Sequence, residues 1–485
     1  MHVQGAHRRG FAHINCLSQL GILAGIVASV VLSSLVTAMA ADEAPRRPPN
    51  IIFVMADDLG YGDLGCYGQK QIQTPNIDQL AAEGVRFTDF YAGSTVCAPS
   101  RCVLMTGLHT GHCFIRGNGK INLRPSDQTV ADVLKKAGYV NGLFGKWGLG
   151  HEGSLGVPTH QGFDEFFGYL DQHHAHNYYP TFLMHNTQRF PLNNVVPGAG
   201  EFGQGVASKK VDYSADLIAE HALEFVRQEY QKPFFLYWAA TLPHANNEAR
   251  KEGMEVPDYG QYADKDWPDA QKGTAAMISR LDSDVGRLMS LLKELKIDDN
   301  TVVMFTSDNG PHREGGNDAD FFDSNGSLRG IKRDLYEGGI RVPMVVRWPG
   351  HAPAGTTCSH VGYFADFLPT AAAIAGYKTG YGVDGISFLP SILGQADQQQ
   401  PHEYLYWEFY ERGGAQAVRI GQWKGVASPM GSAEIELYNL DDDIGETMNV
   451  AAEHLDIVQI VRGAMAESHV PTPDWQVSPP RRPKK

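Results

Sequence analysis

Four short apolar segments, each ending in a cluster of polar residues, constrain the fold of this chain most. They span residues 51–60, 139–150, 233–246 and 301–310. Uninterrupted apolar runs of this length are typical of strands buried on both faces of a parallel sheet. Helical patterns fall between them, over residues 126–137, 213–228 and 270–295. We therefore predict an α/β fold with a large mixed, mostly parallel sheet sandwiched by helices.

The last quarter of the chain has a different character. Three segments, 403–411, 415–427 and 434–440, are typical of short antiparallel strands, and a proline- and lysine-rich tail follows. We predict a catalytic domain over residues 49–375, a smaller C-terminal α+β subdomain built on an antiparallel sheet over 376–470, and a disordered tail over 471–485. The sequence shows no internal repeat.

The first forty residues have the order of a secretory signal peptide. Arg8 and Arg9 precede an apolar run over residues 20–36, and small residues follow at 38–40. The alternative is an uncleaved membrane anchor, for which the run is short. We predict cleavage near Ala40, a secreted or periplasmic protein, and no membrane attachment after cleavage.

The net charge excludes some classes of binding partner, and the cysteine count limits disulfide pairing. The net charge is −14, and loss of residues 1–40 removes two arginines and no acid, which leaves −16. Proteins that bind nucleic acid or anionic membranes need broad cationic surfaces, so both classes are excluded. Five cysteines remain after cleavage, so at least one lies outside an intramolecular disulfide.

Two of the strand-end clusters contain metal-binding residue types. Asp57 and Asp58 end the first apolar run, and Asp308 and Asn309 end the last. Their oxygens suit Ca²⁺, with Mg²⁺ as the alternative, and exclude zinc, which prefers nitrogen and sulfur ligands. Each pair alone is also a common turn former. Because the carboxyl ends of parallel strands converge, two such pairs favour a metal site.

The segment 95–111 places a cysteine at the start of a predicted helix. Pro99 suits the first turn and Gly107 suits the end of the helix, with Cys97 just ahead of it. A helix N-terminus favours anions and activates a thiol, and Arg101 one turn on is suited to bind an anion's oxygens. Most lone cysteines are instead disulfide partners or small buried residues.

At Cys97-Ala98-Pro99-Ser100-Arg101 the chain resembles the type I sulfatases of the alkaline phosphatase superfamily. The resemblance runs from about Pro49 through the C-terminal subdomain. Its other motifs are Ala56-Asp57-Asp58-Leu59-Gly60, Met105-Thr106-Gly107, Gly145-Lys146-Trp147, Pro243-His244, Ser307-Asp308-Asn309-Gly310 and Tyr336-Glu337-Gly338-Gly339.

The resemblance implies sulfate ester hydrolysis and the residues that perform it. A formylglycine-generating enzyme would oxidise Cys97 to Cα-formylglycine during export, and Arg101 would support it. The metal ligands would be Asp57, Asp58, Cys97, Asp308 and Asn309. Lys146, His244 and Lys332 would bind the sulfate group, with His244 as proton donor to the leaving alcohol. The metal and the cationic side chains would stabilise the charge of the transition state.

One position departs from the family pattern. Most relatives have Gly-Lys-Trp-His, whereas Gly148 stands in place of the histidine that helps to hold and deprotonate the formylglycine hydrate. We predict that another histidine takes the role, from His151, His174 or His176. The histidines of segment 168–180 are otherwise those of an ordinary surface loop. His312 is predicted to contact substrate, with a turn residue as the alternative.

Two other functions stay open beside a sulfatase acting on a sulfated carbohydrate. One is a formylglycine-dependent phosphodiesterase or phosphonate monoester hydrolase, since some relatives use the same group. The other is a non-catalytic binder of sulfated glycans, which the intact motif around Cys97 disfavours. By family likeness alone, the sugar is a sulfated galactose or N-acetylgalactosamine unit.

Overall fold

A ten-stranded mixed sheet organises the computed structural model, which describes residues 47–479. In chain order the strands of the described residues are β1 Asn50–Ala56, β2 Val85–Phe87, β3 Phe90–Tyr91, β4 Val140–Lys146, β5 Glu165–Tyr169, β6 Phe182–His185, β7 Gln188–Pro191, β8 Phe234–Ala239, β9 Thr301–Ser307, β10 Met344–Arg347, β11 Thr356–Cys358, β12 Gly362–Tyr363, β13 Leu405–Phe409, β14 Ala415–Ile420, β15 Trp423–Ala427 and β16 Glu436–Asn439. The large sheet has the order β11-β2-β10-β9-β1-β8-β4-β5-β6-β7.

The middle of this sheet is parallel. Strands β9, β1, β8, β4 and β5 run in one direction, while β10 and the β6–β7 hairpin are antiparallel to their neighbours. The four apolar segments of the sequence become β1, β4, β8 and β9. The predicted α/β class with a mostly parallel central sheet is confirmed.

Helices cover both faces of the sheet. In chain order those of the described residues are α1 Pro75–Ala82, α2 Cys97–Thr106, α3 Val130–Lys136, α4 Ser214–Glu229, α5 Asp269–Glu294, α6 Glu337–Ile340, α7 Phe367–Ile374, α8 Leu389–Ile392 and α9 Leu455–Ser468. Short 3-10 turns lie between them at Gly65–Tyr67, Pro158–His160, His174–His176, Asn247–Glu252, Gly260–Tyr262, Asp298–Asn300, Phe364–Asp366 and Ala396–Gln398.

Alternate residues of β1 point into two separate cores. Ile51 and Phe53 pack with residues of α2, α3 and α7, whereas Ile52 and Val54 pack with residues of α1, α4 and α5. A strand with both faces covered has no polar face, which explains its uninterrupted apolar sequence. The two helical layers also leave the carboxyl ends of the parallel strands at one edge.

A four-stranded antiparallel sheet, β13-β14-β15-β16, forms the C-terminal part with α9 packed on it. Trp407 of β13 donates through Nε1 to the Ala92 carbonyl at 2.9 Å, and its ring lies 5.3 Å from that of Tyr91. The described chain from Pro48 onward forms one compact unit. The predicted division near residue 375 therefore separates two sheets rather than two compact units.

Residues 471–479 differ from the predicted disordered tail. Trp475 donates through Nε1 to the Phe114 carbonyl at 2.7 Å and packs against Gly117, and the Ser478 amide donates to the Tyr410 carbonyl at 2.9 Å. The composition of the tail suggested disorder, but one tryptophan and a few backbone hydrogen bonds are enough to fix these residues. The rest of the predicted tail and the predicted signal peptide lie outside the described residues.

Within residues 47–479, no helix combines the length and the apolar character that crossing a membrane requires.

Candidate active site

Six charged side chains meet at the carboxyl ends of the central strands. Three ion pairs join them: Lys146 Nζ to Asp57 Oδ2 at 2.7 Å, Lys332 Nζ to Asp58 Oδ2 at 2.7 Å, and Arg101 Nη2 to Asp308 Oδ2 at 2.8 Å. All six are buried. We call Asp57, Asp58, Asp308, Arg101, Lys146 and Lys332 the active-site cluster. Its three carboxylates balance its three cations.

Backbone hydrogen bonds between strand ends hold the carboxylates in place. The Asp308 amide donates to the Ala56 carbonyl at 3.1 Å, and the Asp58 amide donates to Asp308 Oδ1 at 3.1 Å. Asp58 has a φ of 65°, a left-handed conformation that aspartate tolerates better than most residues. The turn-forming property of the Asp-Asp pair therefore serves the site, because it directs the two carboxylates inward.

Helix α2 begins at Cys97 itself, one residue earlier than predicted, and Gly107 ends it with a φ of 70°. Ser100 Oγ donates to the Asp308 carbonyl at 2.6 Å, so the serine of the motif ties the helix to the end of β9. The Ala98 amide donates to Asn118 Oδ1 at 3.1 Å. Helix and strand are thus held together next to the cysteine.

The Cys97 thiol is buried and protonated. Its Sγ donates to Asp57 Oδ1 at 3.5 Å, and burial together with the Asp57 charge raises its pKa to about 12. The sequence predicted an activated thiol at a helix N-terminus. That prediction is wrong, because burial and a neighbouring carboxylate outweigh the helix. An unmodified Cys97 would be a poor nucleophile here.

The oxygen-rich end of the cluster fits a divalent cation. Ligand atoms of Asp57, Asp58, Cys97 and His244 all lie within 4.8 Å of one another. Asn309 donates through Nδ2 to Asp58 Oδ1 at 2.7 Å, while its buried Oδ1 has no hydrogen-bond partner. Burial, and then the Asp57 charge, raise the pKa of Asp308 to about 7. A hard cation would satisfy the oxygen and relieve the crowding of carboxylates.

His244 is neutral and faces the cluster. Its Nδ1 donates to the Ala245 carbonyl at 2.7 Å, which leaves Nε2 to accept from Lys332 Nζ at 3.1 Å. Burial and the Lys332 charge lower the pKa of His244 well below its usual range. Lys332 therefore carries the proton that the two side chains share.

Two of the four predicted substrate-binding histidines lie beside His244. The ring of His176 stacks on it with centroids 4.9 Å apart, and the ring of His312 lies 6.0 Å away on a nearly parallel plane. His176 Nδ1 is 3.3 Å from Glu248 Oε2. His312 Nε2 lies 3.3 Å from the Pro243 carbonyl oxygen.

His151 and His174 lie elsewhere, along a cavity of about 190 Å³ that Phe202 also lines. His151 hydrogen-bonds through Nε2 with Asp171 at 3.0 Å, and His174 packs between Tyr169 and Phe182. Among the described residues, neither histidine is hydrogen-bonded to or stacked on a member of the active-site cluster.

Sequence reasoning missed several residues at the site. Glu314 Oε2 is 3.5 Å from Lys332 Nζ, and Glu314 Oε1 is 2.6 Å from Arg333 Nη1. Asn118 caps α2, and Gln172 packs against Gly148. Glu314 follows Asp308-Asn309 so closely that its position was a usable signal. For Asn118 and Gln172 the sequence gives no such signal, because each lies in a loop whose path depends on the tertiary fold.

Comparison with known proteins gives consistent results. The sulfatase family model matches residues 49–377, and the family described as N-sulphoglucosamine sulphohydrolase, C-terminal, matches residues 330–468. Arylsulfatase A of Homo sapiens is 33% identical over 471 residues, which cover 86% of each chain. N-acetylgalactosamine-6-sulfatase of Rattus norvegicus is 34% identical, covering 81% of this chain and 74% of that protein.

Solved structures agree. The structure described as Ps i-CgsB superimposes with a TM-score of 0.74 at 29% identity, covering 89% of this chain and 95% of that one. A second structure, Ps i-CgsB in complex with k-i-k-neocarrahexaose, has the same TM-score of 0.74 at 28% identity, with the same coverage of 89% and 95%.

Proposed function

This chain belongs to the sulfatase family and is a sulfuric ester hydrolase, and we propose that it removes sulfate from a sulfated carbohydrate with Cα-formylglycine derived from Cys97. The observation that carries the proposal is the buried, charge-balanced cluster around Cys97. A charge-balanced cluster gains two positive charges when a divalent cation binds, and it then attracts an anionic sulfate ester.

The proposed metal ligands are Asp57, Asp58, Asp308, Asn309 and the group at position 97, with Ca²⁺ as the ion and Mg²⁺ as the alternative. The metal would supply Lewis-acid stabilisation of the sulfate oxygens. The hydrated aldehyde would supply two hydroxyls on one carbon, one to attack sulfur and one to release sulfate. A formylglycine-generating enzyme is the partner that maturation requires.

The chain's own cations bind and orient the sulfate group. Arg101, Lys146 and Lys332 converge from α2, from β4 and from the loop before α6. Three cations in a buried site stabilise developing negative charge far better than they would in water. Because Arg101 is also held by the Lys146 carbonyl at 2.6 Å, its guanidinium is oriented before substrate arrives.

The leaving alcohol receives its proton from the Lys332–His244 pair. Lys332 Nζ donates to His244 Nε2, so the proton already lies between the two side chains. This refines the sequence prediction, in which His244 alone was the proton donor. His176 and His312 flank that ring and are proposed to contact the sugar.

A sulfated galactose or N-acetylgalactosamine unit is the proposed substrate. Support comes from the 34% identical N-acetylgalactosamine-6-sulfatase and from the carbohydrate complex of Ps i-CgsB. We further propose that residues 1–40 act as a signal peptide that exports the protein to a secreted or periplasmic location. There the mature sulfatase would meet polymeric substrates.

Release of inorganic sulfate from defined sulfated mono- and oligosaccharides tests the substrate. We expect release from at least one sulfated galactose or N-acetylgalactosamine unit, and no release from any of them contradicts the proposed substrate class. Paired aryl sulfate and aryl phosphodiester substrates give a second test. A kcat/KM for the phosphodiester well above that for the sulfate would overturn the proposed reaction.

A further inference from the structure

The side chain of Gln172 occupies the space that a residue larger than glycine would fill at position 148. Gly148 has a φ of +77°, and a Cβ built there would lie 3.2 Å from Gln172 Cγ and 3.8 Å from Arg101 Cδ. A histidine ring at position 148 would extend into this same volume. The glycine at position 148 therefore leaves no empty space, because Gln172 fills the volume that a larger side chain there would occupy.

The two positions are held side by side by the sheet. The Trp147 amide donates to the Tyr169 carbonyl at 2.9 Å, and the Gly148 amide donates to the Leu170 carbonyl at 3.0 Å. These bonds extend the β4–β5 pairing beyond the strand ends. Asp171, next to Gln172, is fixed in turn by His151 Nε2 at 3.0 Å and by the His173 amide at 2.7 Å. The place of Gln172 is thus defined by its neighbours.

Gln172 keeps an unsatisfied acceptor at this place. The residue is 8% exposed, and its buried Oε1 has no hydrogen-bond partner. Arg101, whose Cδ also lies beside position 148, makes no hydrogen bond to this oxygen, and its Nε, Nη2 and Nη1 are oriented towards Asp308 and the Lys146 carbonyl. Leaving a buried carbonyl oxygen unpaired is unfavourable, so such groups mark sites that await a donor.

The side of α2 that faces position 148 carries residue 97 as well as Arg101. Arg101 lies one turn after Cys97 on α2, so its side chain and that of residue 97 share one helix face. The Cys97 thiol has a single proton and donates it to Asp57. The hydrate of formylglycine has two hydroxyls, and so it offers one donor more than the thiol.

We propose that Gln172 Oε1 accepts a hydrogen bond from one hydroxyl of the formylglycine hydrate and holds it in position, in the place that a histidine at 148 would serve. The inference rests on the proposed function, since it needs formylglycine at position 97. A carboxamide takes up no proton at neutral pH, so Gln172 is a positioning residue and not the base. The predicted substitutes His151 and His174 are not needed for this role.

The test is Gln172→Met, which keeps the length and volume of the side chain and removes the acceptor. The first measurement is the ratio of hydrate to free aldehyde at position 97, from the two ¹³C NMR signals of protein labelled at cysteine. We expect the ratio to fall about tenfold, the effect of one lost buried hydrogen bond. We also expect kcat to fall about tenfold, with KM for an aryl sulfate changed less than about threefold.

Gln172→Glu is the matched control, because it restores an acceptor oxygen at the same length. Because the hydrogen bond is retained, we expect the ratio of hydrate to free aldehyde to stay within about twofold of the wild-type ratio. Thermal unfolding of all three proteins reports whether packing is intact. A Gln172→Met protein with an unchanged hydrate ratio and unchanged kcat would show that Gln172 only fills space. A wild-type protein with neither ¹³C signal would instead refute the proposed function itself, and this inference with it.

Discussion

Two clusters of three carboxylates and three cations, all buried except the partly exposed Asp89, serve different purposes in this protein. One is the active-site cluster. The other, which we call the sheet-anchoring cluster, links the large sheet to the C-terminal sheet and consists of Asp89, Glu337, Glu446, Arg341, Arg419 and Lys424. The formal charges are the same, so the difference lies in how the charges are arranged.

In the sheet-anchoring cluster, Glu337 is surrounded by donors. Its Oε1 accepts from Lys424 at 2.8 Å, and its Oε2 accepts from Tyr91 Oη at 2.6 Å and from Arg341 Nη1 at 3.1 Å. Burial alone would raise the pKa of Glu337, but Lys424, Arg341 and Arg419 lower it to about 2. Glu446 shares Lys424 with it, and burial raises the pKa of Glu446 to about 7.

In the active-site cluster the carboxylates crowd one another. Burial and the Asp57 charge raise the pKa of Asp308 to about 7, and a buried Asn309 oxygen lacks a partner. Each cluster therefore has one carboxyl group whose pKa burial raises, Asp308 in one and Glu446 in the other. The difference is that the raised group of the active-site cluster lies where a metal would relieve it, whereas Glu337 at the centre of the sheet-anchoring cluster has donors on both oxygens. Strain of this kind at functional sites is a general feature of enzymes.

The largest expected effect is that of Cys97→Ser. Without the precursor of the aldehyde, we expect turnover of an aryl sulfate to fall at least about 10⁴-fold, as for removal of other catalytic nucleophiles. Cys102→Ala, five residues on and also buried, is the matched control and should keep kcat within about threefold, because Cys102 is not part of the active-site cluster. Sustained turnover by the serine variant would contradict the mechanism.

Asp308→Asn tests the crowded side of the comparison. We expect a loss of bound metal and a fall in kcat of about 10³-fold, since an electrostatic stabiliser of the transition state is gone. The Asp308 charge is disfavoured in the folded protein. The free energy of unfolding of the metal-free variant should therefore lie within about 1 kcal/mol of that of the metal-free wild type. Metal analysis and denaturant unfolding measure the two effects. An active variant that resists chelators would show the ligand assignment to be wrong.

Glu337→Gln tests the sheet-anchoring cluster. Removing a charge that its neighbours stabilise should lower the free energy of unfolding by about 3 kcal/mol, while kcat of the folded enzyme stays near that of the wild type. Since the pKa of Glu337 is depressed in the folded state, this difference is complete above pH 4.5 and shrinks as the pH falls towards 2. A constant difference across that range in denaturant titrations would remove the electrostatic explanation.

The smallest expected effect concerns the histidines at the edge of the active-site cluster. His176→Ala removes the ring stacked on His244, and we expect kcat/KM to fall about tenfold, as when a ring contact and a hydrogen-bonding group are lost together. His185→Ala is the control, because that exposed ring on β6 lies beside Glu165 instead, and we expect less than about a threefold change. The reverse order of the two effects would contradict this placement.

The fold could be predicted from sequence because its rules are local. The apolar runs of β1, β4, β8 and β9 reveal buried parallel strands, and topology alone brings Asp57, Lys146, His244 and Asp308 to one edge. The helix boundaries of α2 follow from Pro99 and Gly107 to within one residue.

The rest depends on contacts between distant segments. The partners of Glu337, the capping of α2 by Asn118, and the ordering of residues 471–479 through Trp475 are set by tertiary packing. The pKa of Cys97 also depends on burial, which reverses the sign that its helix position suggests. The pairing of Gly148 with Gln172 is of the same kind, because the loops after β4 and β5 meet only after the sheet has formed.

Mass spectrometry of the peptide that contains residue 97, from protein exported by its native route, tests the central claim most directly. The account predicts formylglycine at that position in the active fraction, with the other cysteines unconverted. An unmodified Cys97 thiol in fully active protein would contradict the account, since the thiol in this site is protonated and cannot perform the proposed chemistry.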